Sequence, residues 1–574
     1  MTRFLALSLA LLASACATVP PVHQAGAPVE VGIVAINDFH GNLEPPHKSV
    51  PLGRPGASTQ VPAGGAAYLA SAVAQTRRGQ AHSIVVSAGD MVGASPLTSS
   101  LFLDEPSVLA LNAMGLELGA VGNHEFDRGQ GELFRLAKGG CEKFTLREPC
   151  QVDRPFPGAR FGMLAANVRR ADGSTLFPGT ALKRFGAVTI GFIGETLKSA
   201  PDIVSAQNIE GLRFEDEADT ASAAAAELRR QGADAVVLLI HQGLQLAPDY
   251  TGEGCAGLSG SLMPILAKLD GVDLVVSGHS HNRYICDYRE IDAARPFLVT
   301  SAEAFGTLLT DIRLTIDPVA HRVVARTARN VIVQGEAFTG ASGAVPLTEA
   351  APRFAADPAV GAIVARYAAA ARTQVERRVG TLTGPALRAE RGEQEAPLNN
   401  LIADAQVAAI PGGEIGFMNS GGVRTDLLPA PDGQVTYGQI YAVQPFGNVL
   451  EARAVTGRQL LALLEQQVRD GRDTPNLLAP SSALRYTLDL RAPVGQRVRD
   501  ATVNGKPLDP ARTYRVVVSN FVAQGGDGFT GLRDAAVVAR GGTDLEALEA
   551  YLRAHPRLSP PAANRVTVKG LPAR

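Results

Sequence analysis

In the first half of the chain, short unbroken apolar runs alternate with amphipathic stretches, and the runs stop at polar clusters. Residues 31–36 lead into Asn37, Asp38, Phe39 and His40. Residues 83–87 lead into Gly89 and Asp90. Residues 116–121 lead into Gly122, Asn123, His124, Glu125, Phe126 and Asp127. Residues 235–240 lead into His241, and residues 274–277 into Gly278, His279, Ser280 and His281. Runs this short and rich in β-branched residues predict buried strands. Two more apolar runs occur at 161–166 and 188–193. Between them, residues 66–78, 106–114 and 215–231 predict helices, the last alanine-rich and stopped by Gly232. Strands alternating with helices predict an α/β fold built on βαβ units. The Gly/Pro-rich residues 41–65 predict a long loop, of a kind more often functional than idle. Residues 351–378, with Ile363, Tyr367 and Ala371 at helical spacing, predict a helix joining two domains. We find no internal repeat.

The polar ends change this picture from fold to chemistry. Open α/β folds place their sites at the carboxyl ends of strands, so these clusters converge on one sheet edge. Asn123 offers an amide oxygen to a metal, and His124 an imidazole. Asp127, three residues on, is placed to hydrogen-bond that imidazole, orienting it and favouring its protonated form. A strand end followed by a polar helix cap explains any one cluster. It does not explain why five of the ten histidines lie in these segments.

Length adds that 574 residues are too many for one core, which predicts two large domains. A net charge of −2 gives no basic surface for a nucleic-acid polymer, and none is expected as partner. At the N-terminus, Arg3, the apolar residues 4–12 and Ala13-Ser14-Ala15 read as an export signal, too short to span a bilayer. Cys16 follows at once, as in a bacterial lipoprotein. The expected product is exported: periplasmic, or anchored to the outer membrane by lipid on Cys16. Plain secretion with the same cleavage is the competing reading, because Ala13 stands where such signals usually carry leucine. Residues 16–29 read as a flexible tether. Four cysteines remain, Cys141, Cys150, Cys255 and Cys286, and predict two disulfides from three possible pairings. Cys141–Cys150 would close a short loop, and Cys255–Cys286 would brace the loop before the Gly-His-Ser-His segment.

Asp38-x-His40, Gly89-Asp90, Gly122-Asn123-His124-Glu125, His241 and Gly278-His279-x-His281 resemble the calcineurin-like metallophosphatases. Their order and spacing resemble the 5'-nucleotidase family within that superfamily. The resemblance covers about residues 30–545. It implies an N-terminal four-layer α/β/β/α metallophosphatase domain at 30–345, a linker helix at 346–379, and a C-terminal α/β substrate-binding domain at 380–574. It implies two divalent metal ions (Zn, Mn, Fe or Co): Asp38, His40 and His281 at one, Asn123, His241 and His279 at the other, Asp90 bridging. Imidazole, carboxylate and amide donors suit those metals, and thiolates are absent from the set. The two carboxylates leave a surplus of positive charge that favours hydroxide and a phosphate ester. His124, oriented by Asp127, would stabilise charge on the phosphate or the leaving oxygen.

In the second half, residues 416–424 (Gly-Phe-Met-Asn-Ser-Gly-Gly-Val-Arg), 444–448, 520–521 and 525–529 resemble the same family's second domain. There the resemblance implies that Phe446 and Phe521 sandwich a base, that Asp527 holds ribose hydroxyls, and that Asn419 and Arg424 bind substrate beside the phosphate. Arg388 or Arg391 would supply a second phosphate arginine. The chain departs from the family at Asn399-Asn400, where Gly-Asn is usual. The activity implied is hydrolysis of nucleotide phosphate esters, with UDP-sugars and cyclic nucleotides as possible further substrates, for nucleotide scavenging. The resemblance also implies that the domains rotate to close over substrate. Two alternatives share part of this pattern. A sulfur-oxidation hydrolase of the same family, acting on a carrier-bound sulfate group, would need no aromatic clamp. A non-catalytic nucleoside-binding lipoprotein would be expected to have lost a ligand or His124.

Overall fold

Strand Val29–Ile36 is buried on both faces, and the faces meet different neighbours. Val31, Ile33 and Ala35 point into a core shared by two sheets, while Val34 and Ile36 pack under helices. Strand Ala235–His241 does the same, with Ala235, Val237 and Leu239 inward and Val236, Leu238 and Ile240 outward. Double burial is why these segments are unbroken apolar runs rather than alternating ones.

The computed structural model describes residues 26–54, 56–340, 343–389, 394–468 and 474–571. The expected export signal, Cys16 and Arg391 lie outside the described residues. The first half builds two six-stranded sheets. One runs in the order 322–332, 308–317, 29–36, 83–87, 118–120, 162–164, and its last four strands are parallel. The other runs 283–287, 298–302, 274–277, 235–241, 188–196, 180–185, with the middle four parallel. Helices Ala66–Arg77, Glu105–Met114 and Gly129–Lys138 cover the outside of the first sheet. Helices Glu217–Arg230 and Leu262–Leu266 cover the outside of the second. These are four layers, α/β/β/α. The second half builds a five-stranded sheet (478–480, 415–419, 513–519, 449–456, 537–543) and a four-stranded one (506–507, 498–503, 484–489, 566–569). Helices Pro397–Ala409, Tyr437–Val443 and Asp544–Ala554 pack together, and Leu97 from the first half is buried among them. Among the described residues no helix is long and apolar enough to cross a membrane.

Two expectations need correction. Residues 41–65 are not one loop. Lys48–Arg54 and Ala57–Ala63 pair as an antiparallel hairpin, with Val50 and Val61 buried beneath it. The helix expected at 351–378 begins only at Pro358, with Asp357 capping the amides of Ala359 and Val360. Pro352 and the Asp357-Pro358 step keep 351–357 out of the helix. This helix lies on the first domain through Tyr367 against Phe102, and Val375 reaches the second domain's core. The expected pairings Cys141–Cys150 and Cys255–Cys286 both form.

Candidate active site

The polar clusters after the strands gather as expected, and hydrogen bonds fix which nitrogen each histidine presents. His40 Nδ1 lies 2.9 Å from the Gly93 carbonyl, and His241 Nδ1 lies 2.8 Å from the Ala88 carbonyl. A carbonyl only accepts, so each Nδ1 carries the hydrogen and each Nε2 presents a lone pair. His241 Nε2 faces Asp90 Oδ2 at 2.9 Å and Asn123 Oδ1 at 3.1 Å. His40 Nε2 faces His281 Nε2 at 3.1 Å and Asp90 Oδ2 at 3.6 Å. Lone pairs turned toward oxygens and other lone pairs are satisfied by a cation between them, which is how this donor set fits metal. Asp38, His40 and His281 bring their donor atoms within 4.8 Å of one another, as do Asp90, His241 and His279. Asn123 Oδ1 joins the second group, 3.1 Å from His279 Nδ1. Asp90 Oδ2 faces both groups, the position a bridging carboxylate needs.

The electrostatics agree with a site built for positive charge. Burial opposes ionisation of Asp90, yet His241 and His124 hold its carboxyl well below the usual range. Burial likewise opposes charge on His241, but Asp90 outweighs it and pushes the imidazole up to about 10, so the Nε2 lone pair facing Asp90 takes a proton unless a metal cation takes that place. Burial and the neighbouring His241 bring His279 down to about 3, leaving it neutral.

The backbone is unusual here. Asp38, His40, Asp90, His279 and His281 have φ of 50°, 47°, 50°, 67° and 54°, a left-handed region that non-glycine residues rarely enter. Gly122 is required by contact: a Cβ there would sit 2.2 Å from Asp90 Oδ1. Glu125 holds these loops in place. Its Oε2 accepts from the amides of Asp90 (3.0 Å) and Gly122 (2.6 Å), and its Oε1 from those of Met91 (2.7 Å) and Val92 (3.4 Å). All four partners are donors, so the cradle fits the carboxylate. The sequence offers Glu125 only as part of a motif; three of its partners lie some 35 residues upstream.

His124 Nδ1 lies 3.0 and 2.9 Å from the two carboxylate oxygens of Asp127, which also accepts from Ala94 N at 3.1 Å. Burial resists protonation of His124, but Asp127 and Asp90 together raise its affinity for a proton. With Nδ1 engaged, Nε2 is the nitrogen available to a ligand in the cleft that His124 lines.

That cleft, about 740 Å³, runs between the two domains. From the first domain it is lined by Asn123, His124, Asp127 and His279, and from the second by Asn419, Arg424, Phe446, Phe521 and Asp527. Asn419 Nδ2 donates to Asp527 Oδ2 at 2.7 Å. The Phe521 ring lies against Gly526, where a Cβ would come within 2.5 Å of it. Phe446 stacks on His124, with centroids 5.7 Å apart and planes at 16°, and the Arg424 guanidinium lies 5.8 Å from the Phe446 ring centroid. Arg388 does not line the cleft but reaches the segment that carries Arg424, its Nη1 donating to the Val423 carbonyl at 3.4 Å and its amide to Asp426 Oδ1 at 2.9 Å. Sequence reasoning missed Phe305, which borders the first donor group, Lys48, which lies against Phe305, and the disulfide-closed segment around Phe144–Arg147, which borders the cleft.

Comparisons with known proteins follow this geometry. Residues 32–283 match the family model described as calcineurin-like phosphoesterase, and residues 378–534 match the 5'-nucleotidase C-terminal domain. The chain is 31% identical to cell wall protein Lmo0130 of Listeria monocytogenes serovar 1/2a, over 92% of this chain and 67% of that protein. It is 28% identical to endonuclease YhcR of Bacillus subtilis, over 86% of this chain but only 37% of that longer protein. Among solved structures, the 5'-nucleotidase precursor from Thermus thermophilus superposes with a TM-score of 0.73 at 26% identity, over 95% of this chain and all of that one.

Proposed function

The chain belongs to the 5'-nucleotidase family of metal-dependent phosphoester hydrolases, and from that premise we propose that its substrate is a nucleotide whose phosphate lies over the two donor groups and whose base reaches Phe446 and Phe521. One observation carries this reading. Asn123 and His279 of the donor set, with His124, come from one domain and Phe446, Phe521, Asp527 and Arg424 from the other, yet they line a single cleft.

Asp38, His40 and His281 would hold one divalent ion and Asn123, His241 and His279 the other, with Asp90 shared. Such ions supply Lewis acidity and a hydroxide nucleophile near neutral pH. The chain's own residues do the rest. Arg424 offers a fork of donors to phosphoryl oxygens. His124, turned by Asp127, donates from Nε2 to a phosphoryl or leaving oxygen as charge develops there. Phe446 and Phe521 offer ring faces to the base, worth about 1–3 kcal/mol per stacked base. Asp527, braced by Asn419, accepts from ribose hydroxyls. We place the enzyme in the bacterial envelope, exported by residues 1–15 and anchored through Cys16, where it would scavenge nucleotides.

The test is a panel of nucleoside monophosphates, a UDP-sugar, a cyclic nucleotide, a dinucleotide, a single-stranded oligonucleotide and p-nitrophenyl phosphate, each assayed with Zn, Mn, Fe and Co. Higher kcat/KM for small nucleotides than for p-nitrophenyl phosphate is expected. No preference for any nucleoside-bearing substrate would overturn the reading.

A further inference from the structure

A row of rings runs from Phe446 in the cleft past the first donor group. Phe446 meets His124, His124 meets His40 at 5.1 Å, His40 meets His281 at 5.0 Å, and His281 meets Phe305 at 5.2 Å. Lys48 ends the row, its Nζ 5.0 Å from the Phe305 centroid. It is the first residue of the hairpin that replaces the expected loop.

Lys48 is half-buried and, among the described residues, makes no ion pair within salt-bridge distance. Glu303 and Asp426 attract it, but Glu303 pairs with Arg283 at 3.5 Å and Asp426 accepts from the Arg388 amide. Burial and the approach of Arg388 and Arg424 both work against its charge. Lys48 and Arg424 thus stand at opposite ends of this row, one from each domain, with the first donor group between them and Arg388 acting on both. Cations that repel one another across a largely buried donor group point to an anion between them.

We propose that Lys48 is a third phosphate-binding cation, which with Arg388 and Arg424 selects dianionic phosphomonoesters over monoanionic phosphodiesters. This rests on the reading that the reacting phosphoryl group lies over the two donor groups. A monoester turns charged non-bridging oxygens toward Lys48. A diester replaces one of them by a neutral ester oxygen and its substituent, so the third cation adds less to its binding.

The test uses the full chain loaded with metal and the variants Lys48→Met, which keeps an unbranched stem over Phe305, and Lys48→Arg. Substrates are p-nitrophenyl phosphate and bis(p-nitrophenyl) phosphate, which share a leaving group and carry no nucleoside. Lys48→Met is expected to raise KM for the monoester and Ki for inorganic phosphate roughly ten- to hundred-fold. The diester should change less than about threefold, and Lys48→Arg should recover most of the loss. Metal content and Tm should stay as in the parent. If the diester is not turned over, Ki for inorganic phosphate decides alone. An unchanged Ki would overturn the proposal. So would equal losses on both esters reproduced by Asp426→Asn, because Lys48 would then be a latch between domains. Should the expected pattern appear while no nucleotide is hydrolysed, Lys48 stands and the nucleotide reading falls.

Discussion

At the scale of single residues, His124 separates the chemistry from the metals. His124→Ala is expected to lower turnover at least about a hundredfold with two metals per chain retained. Its amide, which donates to Asp90 Oδ1 at 2.9 Å, survives the substitution, so the donor groups keep that brace. Loss of one ion on elemental analysis would make His124 a ligand instead. Asp544, away from the metals, gives a pH prediction. Burial pushes its carboxyl up to about 7, although the Asn448 side chain (3.2 Å) and the Leu545 amide (2.8 Å) donate to it. An unfolded aspartate titrates near 4. The folded state therefore binds the proton more tightly, and stability falls as pH rises from about 4 to 7, then stays lower. Asp544→Asn should raise Tm by a few degrees at pH 8 and leave it nearly unchanged at pH 4; equal gains at both would trace the effect to packing. The candidate metal donors stand out in the sequence because each lies just past the end of an apolar run. What Glu125 and Lys48 do was not legible there. The first acts on amides of a distant segment, and the second sits in a stretch whose pattern shows neither helix nor strand.

At the scale of elements, seven strands of the two central sheets were read from their apolar runs and the helices at 66–77, 105–114 and 217–230 from their spacing, to within a few residues; the strands at 180–185, 283–287, 298–302, 308–317 and 322–332 were not. The hairpin at 48–63 escaped because Pro51, Gly53 and Pro62 look like loop residues, and an edge ribbon tolerates them. The late start of the helix at Pro358 was signalled by Asp357-Pro358, a cap and first-turn pair that the alanine-rich spacing obscured. Glu125 ties two elements together, which allows a sharp test. In Glu125→Gln one oxygen becomes an NH2 group facing two N–H donors, leaving buried donors unpaired at about 1–3 kcal/mol each. Metal retention against a competing chelator should fall at least tenfold, and Tm should drop by several degrees. Unchanged metal retention would reduce Glu125 to a packing role.

At the scale of the whole molecule, the proposed activity on nucleotides draws on both domains at one cleft, and the aromatic pair tests that. Phe446→Ala and Phe521→Ala should each raise KM for a nucleoside monophosphate roughly five- to a hundred-fold, from about 1–3 kcal/mol of lost stacking. Hydrolysis of p-nitrophenyl phosphate should change much less, and metal content should hold, since the donors lie on the other domain. Equal losses on both substrates with a lowered Tm would make the rings core residues. Two domains were legible from length, and the second domain's segments from their resemblance to the family. That Phe446 would lie flat on His124 was not, because the residues are far apart in sequence and meet only through the docking of the two halves.

The left-handed backbone at five of the seven donors bears on any attempt to move this chemistry elsewhere. Idealised scaffolds exclude φ > 0 at non-glycine positions. Grafting the seven side chains onto such a scaffold would reproduce the composition of the centre while aiming its donors wrongly. The transferable unit is the set of strand-end loops with their conformations, together with the glutamate whose four hydrogen bonds hold two of them, and a designer would copy the loops before the ligands.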